Sequence, residues 1–324
     1  MLNDVARTIL VAAIAATAAF AAGAADVYPS RPIRLITPYA PGGNGDIMAR
    51  IVGQRLAEGL RQPVIIDNRP GANGIIGTEL VVRSAPDGYT LLIVAVGHAL
   101  NPSMEKKLPY DTLKDLAPIG LTGTTPIVFV VSMGLPVDSI KAAIAYARAH
   151  PGEIDYGTSG IGSSPHLAGA LFALMAGIKL THVPYKGTAQ AITDVMAGHI
   201  RAAMAGLSGV LPHIHSGKLK ALGITAPQRS SLAPEIPTIA EGGVAGYQAN
   251  IWNGLLAAAA TPGPVVMQLN RELVRQLKLP ETRERYAGVG ADVLSSSPEE
   301  FDAFIRSEIA KWEKVVKAGG METN

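Results

Sequence analysis

Along nearly the whole chain, short runs of aliphatic and β-branched residues alternate with stretches whose apolar residues recur at helical spacing. No other feature restricts the fold as much. A short strand that is apolar on both faces needs cover above and below. Strand–helix–strand units supply it by laying strands side by side with helices packed across them. Residues 33–37 begin the series, followed by a helix over residues 46–60 whose Ile47, Met48, Ile51, Val52 and Leu56 share one face. Further strands are predicted over residues 64–66, 89–96, 127–131, 154–158, 180–183, 200–204, 221–225 and 255–259. Helices are predicted near residues 74–84, 138–149, 165–176 and 188–198, and over 265–277 and 299–317. Proline and glycine fall at element ends, as in Pro86-Asp87-Gly88 and Pro262-Gly263-Pro264, where they favour tight turns over disordered linkers. The fold class is α/β, with mainly parallel sheets flanked by helices.

The 324 residues include no cysteine, so burial has to hold the fold without disulfides. Arg7 precedes an apolar run over residues 9–20 that small residues 21–25 close. That run is shorter than the roughly 20 residues that span a bilayer, and residues 1–25 read as a cleaved signal peptide. The roughly 300 residues that remain exceed the usual single domain and predict two, each large enough for its own core. The net charge of +2 is spread over interspersed charged residues, and aromatic residues make up 5% of the chain. With neither a basic stripe nor stacking platforms, nucleic acid is excluded as a partner.

Two turns carry the functional reading. The first strand runs into Pro38-Tyr39-Ala40-Pro41-Gly42-Gly43-Asn44-Gly45-Asp46 and then a helix, with Asp46 expected at the N-cap. A helix start offers unpaired backbone N–H groups and the positive end of the dipole, and glycines let a ligand approach them, so the turn suits an anion. The second turn, Tyr156-Gly157-Thr158-Ser159-Gly160-Ile161-Gly162-Ser163-Ser164-Pro165-His166, repeats this order with Pro165 near the first helical position. Hydroxyls of Ser159, Ser163 and Ser164 add donors for a carboxylate. A third turn carries Gly97, His98 and Asn101, and a fourth carries Tyr185 and Gly187.

The chain has no G-x-S-x-G elbow, Walker loop or H-E-x-x-H helix, and Pro165 stands where a dinucleotide motif needs its third glycine. His213 and His215 lack a nearby third ligand, so no metal and no cofactor is expected. Binding without chemistry is the first reading. A secreted enzyme or a sensor subunit on the same scaffold are the alternatives.

The residues resemble the periplasmic receptors of tripartite tricarboxylate transporters, also called Bug-type solute-binding proteins. The resemblance rests on Tyr28-Pro29-Ser30-Arg31-Pro32-Ile33, Pro38-Tyr39-Ala40-Pro41-Gly42-Gly43, Asp67-Asn68-Arg69-Pro70-Gly71-Ala72, Pro86-Asp87-Gly88-Tyr89, His182-Val183-Pro184-Tyr185-Lys186-Gly187 and Trp252-Asn253-Gly254-Leu255. It implies a two-lobe, type II-like periplasmic-binding-protein fold with two crossover strands as its hinge. Residues 26–124 plus 248–324 would form lobe one, and residues 125–247 lobe two. It also implies a periplasmic monomer that binds a small carboxylate and hands it to the large and small membrane subunits of a permease. Carried over, the ligand-binding positions are Tyr39, Ala40, Gly42, Gly43, Asn44, Gly45 and Asp46 in loop one. In loop two they are Ser159, Gly160, Ile161, Gly162, Ser163, Ser164 and His166. Two positions depart from the family pattern: Gly45 stands where Thr is common, and Ala205-Gly206 where an acidic residue is. Without that carboxylate near Ala205, a ligand ammonium lacks its partner, so a non-amino di- or tricarboxylate or aromatic acid is expected.

Overall fold

The computed structural model describes residues 28–41 and 44–319. The signal-peptide reading of residues 1–25 lies outside the described residues, as do Gly42 and Gly43. The chain forms β1 (Ile33–Thr37), α1 (Asn44–Leu60), β2 (Val64–Asn68), a single turn at Ala72–Gly74, α2 (Ile75–Val82), β3 (Thr90–Ala95), α3 (Val96–Met104) and the long β4 (Leu116–Thr125). It continues through β5 (Ile127–Ser132), α4 (Ile140–Ala149), β6 (Asp155–Thr158), α5 (Ser164–Ala176), β7 (Thr181–Pro184), α6 (Thr188–Ala197), β8 (Ala202–Gly206), α7 (Leu207–His215) and β9 (Leu219–Ile224). After residues 225–250 come β10 (Ile251–Ala258), α8 (Gly263–Leu277), α9 (Pro280–Gly288), β11 (Asp292–Val293) and α10 (Pro298–Gly319).

The strands make two sheets, one of order β11-β4-β10-β3-β1-β2 and one of order β7-β6-β8-β5-β9. In the first, β1 pairs in parallel with β2 and β3; in the second, β6 pairs in parallel with β7 and β8. These are the halves that the strand–helix alternation predicts. β10, by contrast, runs antiparallel between β3 and β4, and β5 antiparallel between β8 and β9. Each sheet is therefore mixed, with most of its strands running one way and the crossing strand running against them. The strands that carry the chain across enter the new sheet against its prevailing direction, and no helix reverses them first.

The sequence reading leaves out β4, whose Pro118, Gly120 and Gly123 look like loop chemistry. Its strand conformation comes from its neighbours β10 and β11, with two register shifts along the β10 pairing. At Gly123 a Cβ would stand 2.3 Å from the Tyr286 ring, so the absent side chain lets α9 close over the sheet.

The chain passes between sheets at Pro126, which separates β4 from β5, and returns after residue 250. The Thr225 hydroxyl ties the two crossings together. It accepts a hydrogen bond from the Ile127 N–H at 3.0 Å and donates one to Asn250 Oδ1 at 3.0 Å. Beside it, the Thr124 hydroxyl donates to the Ile251 carbonyl at 3.0 Å.

One apolar cluster runs from the first sheet through these crossings into the second, joining Val94, Leu100, Phe129, Phe172, Tyr247 and Trp252 to Phe301 and Trp312 of α10. Helix α10 packs against both α3 and α5, which lie beside different sheets. An ionised group sits within this packing. Glu308, 3% exposed, accepts the indole N–H of Trp252 and of Trp312, each at 2.9 Å, and pairs with the Lys311 ammonium. Replacing it by Ala leaves two buried indole donors and a half-buried ammonium unpaired. Glu308→Ala should lower unfolding free energy by about 3 kcal/mol, read from the urea midpoint; a loss below about 1 kcal/mol would show that the indoles find other acceptors.

Candidate functional site

Side chains of neighbouring elements hold loop one in place. Asn68, the last residue of β2, pairs in register with Thr37 at the end of β1. Its Nδ2 donates to the Tyr39 carbonyl at 3.0 Å and to Asp46 Oδ1 at 2.8 Å. Arg50 Nε donates to the other Asp46 oxygen at 3.0 Å. Asp46 is therefore not the N-cap: α1 begins at Asn44, and the buried Asp46 carboxylate braces the loop from behind. Burial pushes the Tyr39 phenol above its usual range, partly opposed by a hydrogen bond from the Ala95 backbone. The side chain of Tyr39 thus reaches from loop one to the end of β3.

At that point β3 passes directly into α3, whose N-cap Ala95 supplies no capping side chain. The first N–H groups of α3 have no intrahelical acceptor. Between β2 and α2 the chain makes a run of four positive φ angles: Gly71 at 134°, Ala72 at 45°, Asn73 at 50° and Gly74 at 89°. Left-handed conformations at Ala72 and Asn73 cost free energy and need outside support. Asn101 provides it, accepting from Asn73 Nδ2 at 2.6 Å and donating its own Nδ2 to the Asn73 carbonyl at 3.2 Å.

Loop two is pinned in a similar way. Ser163 caps α5 by accepting the His166 N–H, and its hydroxyl donates to the Gly160 carbonyl at 2.7 Å. His166 Nδ1 accepts the Gly162 N–H at 3.1 Å, and its ring stacks on His182 with centroids 3.9 Å apart. His182 in turn bonds the Thr158 hydroxyl at 2.7 Å. Burial lowers the pKa of both rings, and for His182 burial followed by the neighbouring His166 brings it to about 4. Gly162 has φ of 75°, a conformation that favours glycine.

Both loops meet at a cavity of about 380 Å3 lined by Tyr39, Ala40, Gly45, Asn73, Ala95, Val96, Gly97, Leu100, Gly162, Ser163, Ser164, Ile251 and Asn253. Three helices start on its wall: Gly45 lies in the first turn of α1, Val96 and Gly97 open α3, and Ser164 opens α5. None of these lining residues is ionisable in the neutral range, so negative charge would be met by backbone N–H groups, helix dipoles and neutral amide and hydroxyl donors rather than by a cation. A larger cavity of about 500 Å3 lies between the crossings and α10, but its charged side chains are already engaged. Glu308 is held by the indoles, Asp292 accepts from Ser230 and Ser231, and Arg229 pairs with Glu241.

Of the positions singled out from the sequence, the structure brings Tyr39, Ala40, Gly45, Gly97, Gly162, Ser163 and Ser164 to one cavity. Asn44 begins α1. Asp46, Asn101 and His166 lie behind the wall and position it. Ser159, Gly160 and Ile161 belong to loop two outside the lining, with Ile161 74% exposed. The Tyr185 hydroxyl donates to Asp194 at 2.7 Å, Gly187 caps α6, and Ala205 is buried within β8. His98 is 5% exposed with neither ring nitrogen bonded, and it is not part of the lining. Six lining residues are absent from the positions singled out in the sequence: Ala95, Val96, Leu100, Ile251 and the polar Asn73 and Asn253. Asn73 lies in the Gly71-Ala72 motif and Asn253 in the Trp252-Asn253-Gly254 motif, yet neither follows a glycine-rich strand-to-helix turn.

Two α/β sheets joined by crossing strands, with helix starts from both meeting at one cavity, define a two-lobed solute-binding protein of the periplasmic-binding-protein type. The chain belongs to the tripartite tricarboxylate transporter family receptors, whose family model matches residues 48–321. These are binding receptors rather than enzymes. BugT of Bordetella pertussis is 39% identical over 313 residues, covering 95% of each chain. Among solved structures, R. palustris Rpa4515 with adipate has a TM-score of 0.74 at 35% identity, covering 90% of this chain and 98% of its own. MatC from Rhodopseudomonas palustris with bound malate has a TM-score of 0.70 at 30% identity, covering 89% of this chain and 100% of its own.

Burial brings the pKa of His98 from 6.5 to about 4, so the folded protein holds it neutral where the unfolded chain would protonate it. The contribution to stability is complete above pH 6.5 and declines as pH falls toward about 4. Melting temperature should be flat above pH 7 and fall through this window, and His98→Leu should flatten the acid limb. An unchanged drop between pH 7 and pH 5 in the variant would remove His98 from the explanation.

Proposed function

We propose that this chain is the extracytoplasmic receptor of a tripartite tricarboxylate-type transport system, capturing a small carboxylate between its lobes for the large and small membrane subunits. The observation that carries this reading is the convergence of three helix starts from two lobes on a cavity without a lining cation. Such a site holds a carboxylate by N–H donors and rejects an ammonium, for which the described lining offers no carboxylate. That the related structures hold adipate and malate supports the ligand class. Lobe one comprises residues 26–124 and 248–324 and lobe two residues 125–247, with the crossings at Pro126 and Asn250 as the hinge. Closure brings Ser159, Gly160 and Ile161, with the turns at Tyr185, Gly187 and Ala205, nearer to loop one. The permease then distinguishes the closed form from the open one. Residues 1–25 direct a monomeric receptor to the periplasm and are cleaved.

Calorimetry on the mature chain tests the site. Succinate, adipate or an aromatic acid should bind, while aspartate and glutamate should bind at least tenfold more weakly; the reverse order overturns the reading. A second check uses Gly162, where nothing lies within 4 Å of the position a Cβ would take and the strain comes from φ alone. Gly162→Ala should weaken binding about fivefold, corresponding to about 1 kcal/mol of backbone strain, with the unliganded fold intact.

A further inference from the structure

We propose that Gly45 and Tyr39 together set the shape of ligand this receptor takes: the glycine makes room for an aromatic wall that favours a carboxylate with a flat, unsaturated body. The inference rests on the carboxylate-receptor reading above. A Cβ on Gly45 would stand 2.1 Å from Cδ2, 2.5 Å from Cγ and 2.6 Å from Cε2 of Tyr39. No real side chain approaches a ring so closely, and the involvement of Cγ means that the whole ring, not its tip, occupies the space. The ring therefore lies across the first turn of α1 only because residue 45 has no side chain.

Tyr39 is also held at its backbone and at its phenol. Asn68 Nδ2 grips the Tyr39 carbonyl at 3.0 Å, and the Ala95 backbone bonds the hydroxyl. Both Tyr39 and Ala95 line the cavity, so the ring spans one of its walls from loop one to the start of α3. The remaining wall is apolar at Val96, Leu100 and Ile251 and small at Ala40. The polar groups are few: Asn73, Asn253 and the two serines. A pre-placed ring facing aliphatic walls gains most from a planar π-face or a flat apolar body and gives little to a ligand studded with hydroxyls, which would lose water without enough partners.

The test compares benzoate, adipate and malate by calorimetry on the mature protein and on three variants. The wild type should bind benzoate about tenfold more tightly than malate, near the upper end of what one aromatic contact supplies. Gly45→Ala, which displaces the ring, and Tyr39→Leu, which removes it, should each erase most of that preference. Tyr39→Phe should keep it. Urea unfolding without ligand establishes that the variants fold, and Gly45→Ala, favourable within a helix, guards against misfolding of the Tyr39 variants. If carboxylates bind but malate equals or exceeds benzoate, or if the preference survives in both Gly45→Ala and Tyr39→Leu, the aromatic-wall inference fails while the receptor reading stands. If none of the three acids binds, the receptor reading fails and this inference falls with it.

Discussion

A helix cannot satisfy its first backbone N–H groups from within, and in this chain three helices begin where that deficit faces the same small volume. Gly45, Val96 and Ser164 mark the three starts around the cavity. The strand-to-helix turns bring them there: each parallel strand ends at the cleft side of its sheet, and the helix that follows starts where the strand stops. Anion recognition in such a site needs no arginine or lysine, and the described lining has none. Backbone donors are fixed by the fold itself, so no long side chain has to be ordered when a ligand arrives.

Placing those starts accurately is the work of residues behind the wall. Asn68 ties loop one to β2, Asn101 supports the left-handed Asn73, and His166 receives the Gly162 N–H. Asn68 and Asn101 reach in from neighbouring elements, whereas His166 closes back on its own turn. The stacked His166 and His182 rings extend this into the second sheet, where burial keeps both neutral. The described parts of the loops are thus irregular locally but hydrogen-bonded to the residues that flank them, which suits a preformed site.

The crossings carry the chain between the two sheets through a short, hydrogen-bonded junction. Pro126 cannot donate a ladder hydrogen bond, and it stands where β4 leaves one sheet and β5 enters the other. Thr225 links both crossings through one hydroxyl, and α10 packs along both sides of the junction. The price of this arrangement is mixed sheets, since the crossing strands run against the parallel halves.

The sequence by itself determined the α/β class, the order of most strands and helices, and the two glycine-rich turns, because these depend on short-range periodicity and local backbone chemistry. Gly45, Gly97 and Gly162 were legible as sites of close approach for the same reason. What the sequence could not convey is direction. Asp46, Asn101 and His166 lie one or two residues from lining residues, yet each is turned toward a neighbouring segment. His98 adjoins Gly97 but is buried with neither ring nitrogen bonded. Asn73 and Asn253 reach the cavity from a motif turn and from a crossing strand, positions that only the packing of β2, β3 and β10 brings beside loop one. The strand β4 was hidden because its glycines and proline are read locally as loop, whereas its ladder partners β10 and β11 come from the far end of the chain. Tertiary structure decided these matters because pairing across the sheet and the facing of a side chain are set by distant segments, which no local pattern encodes.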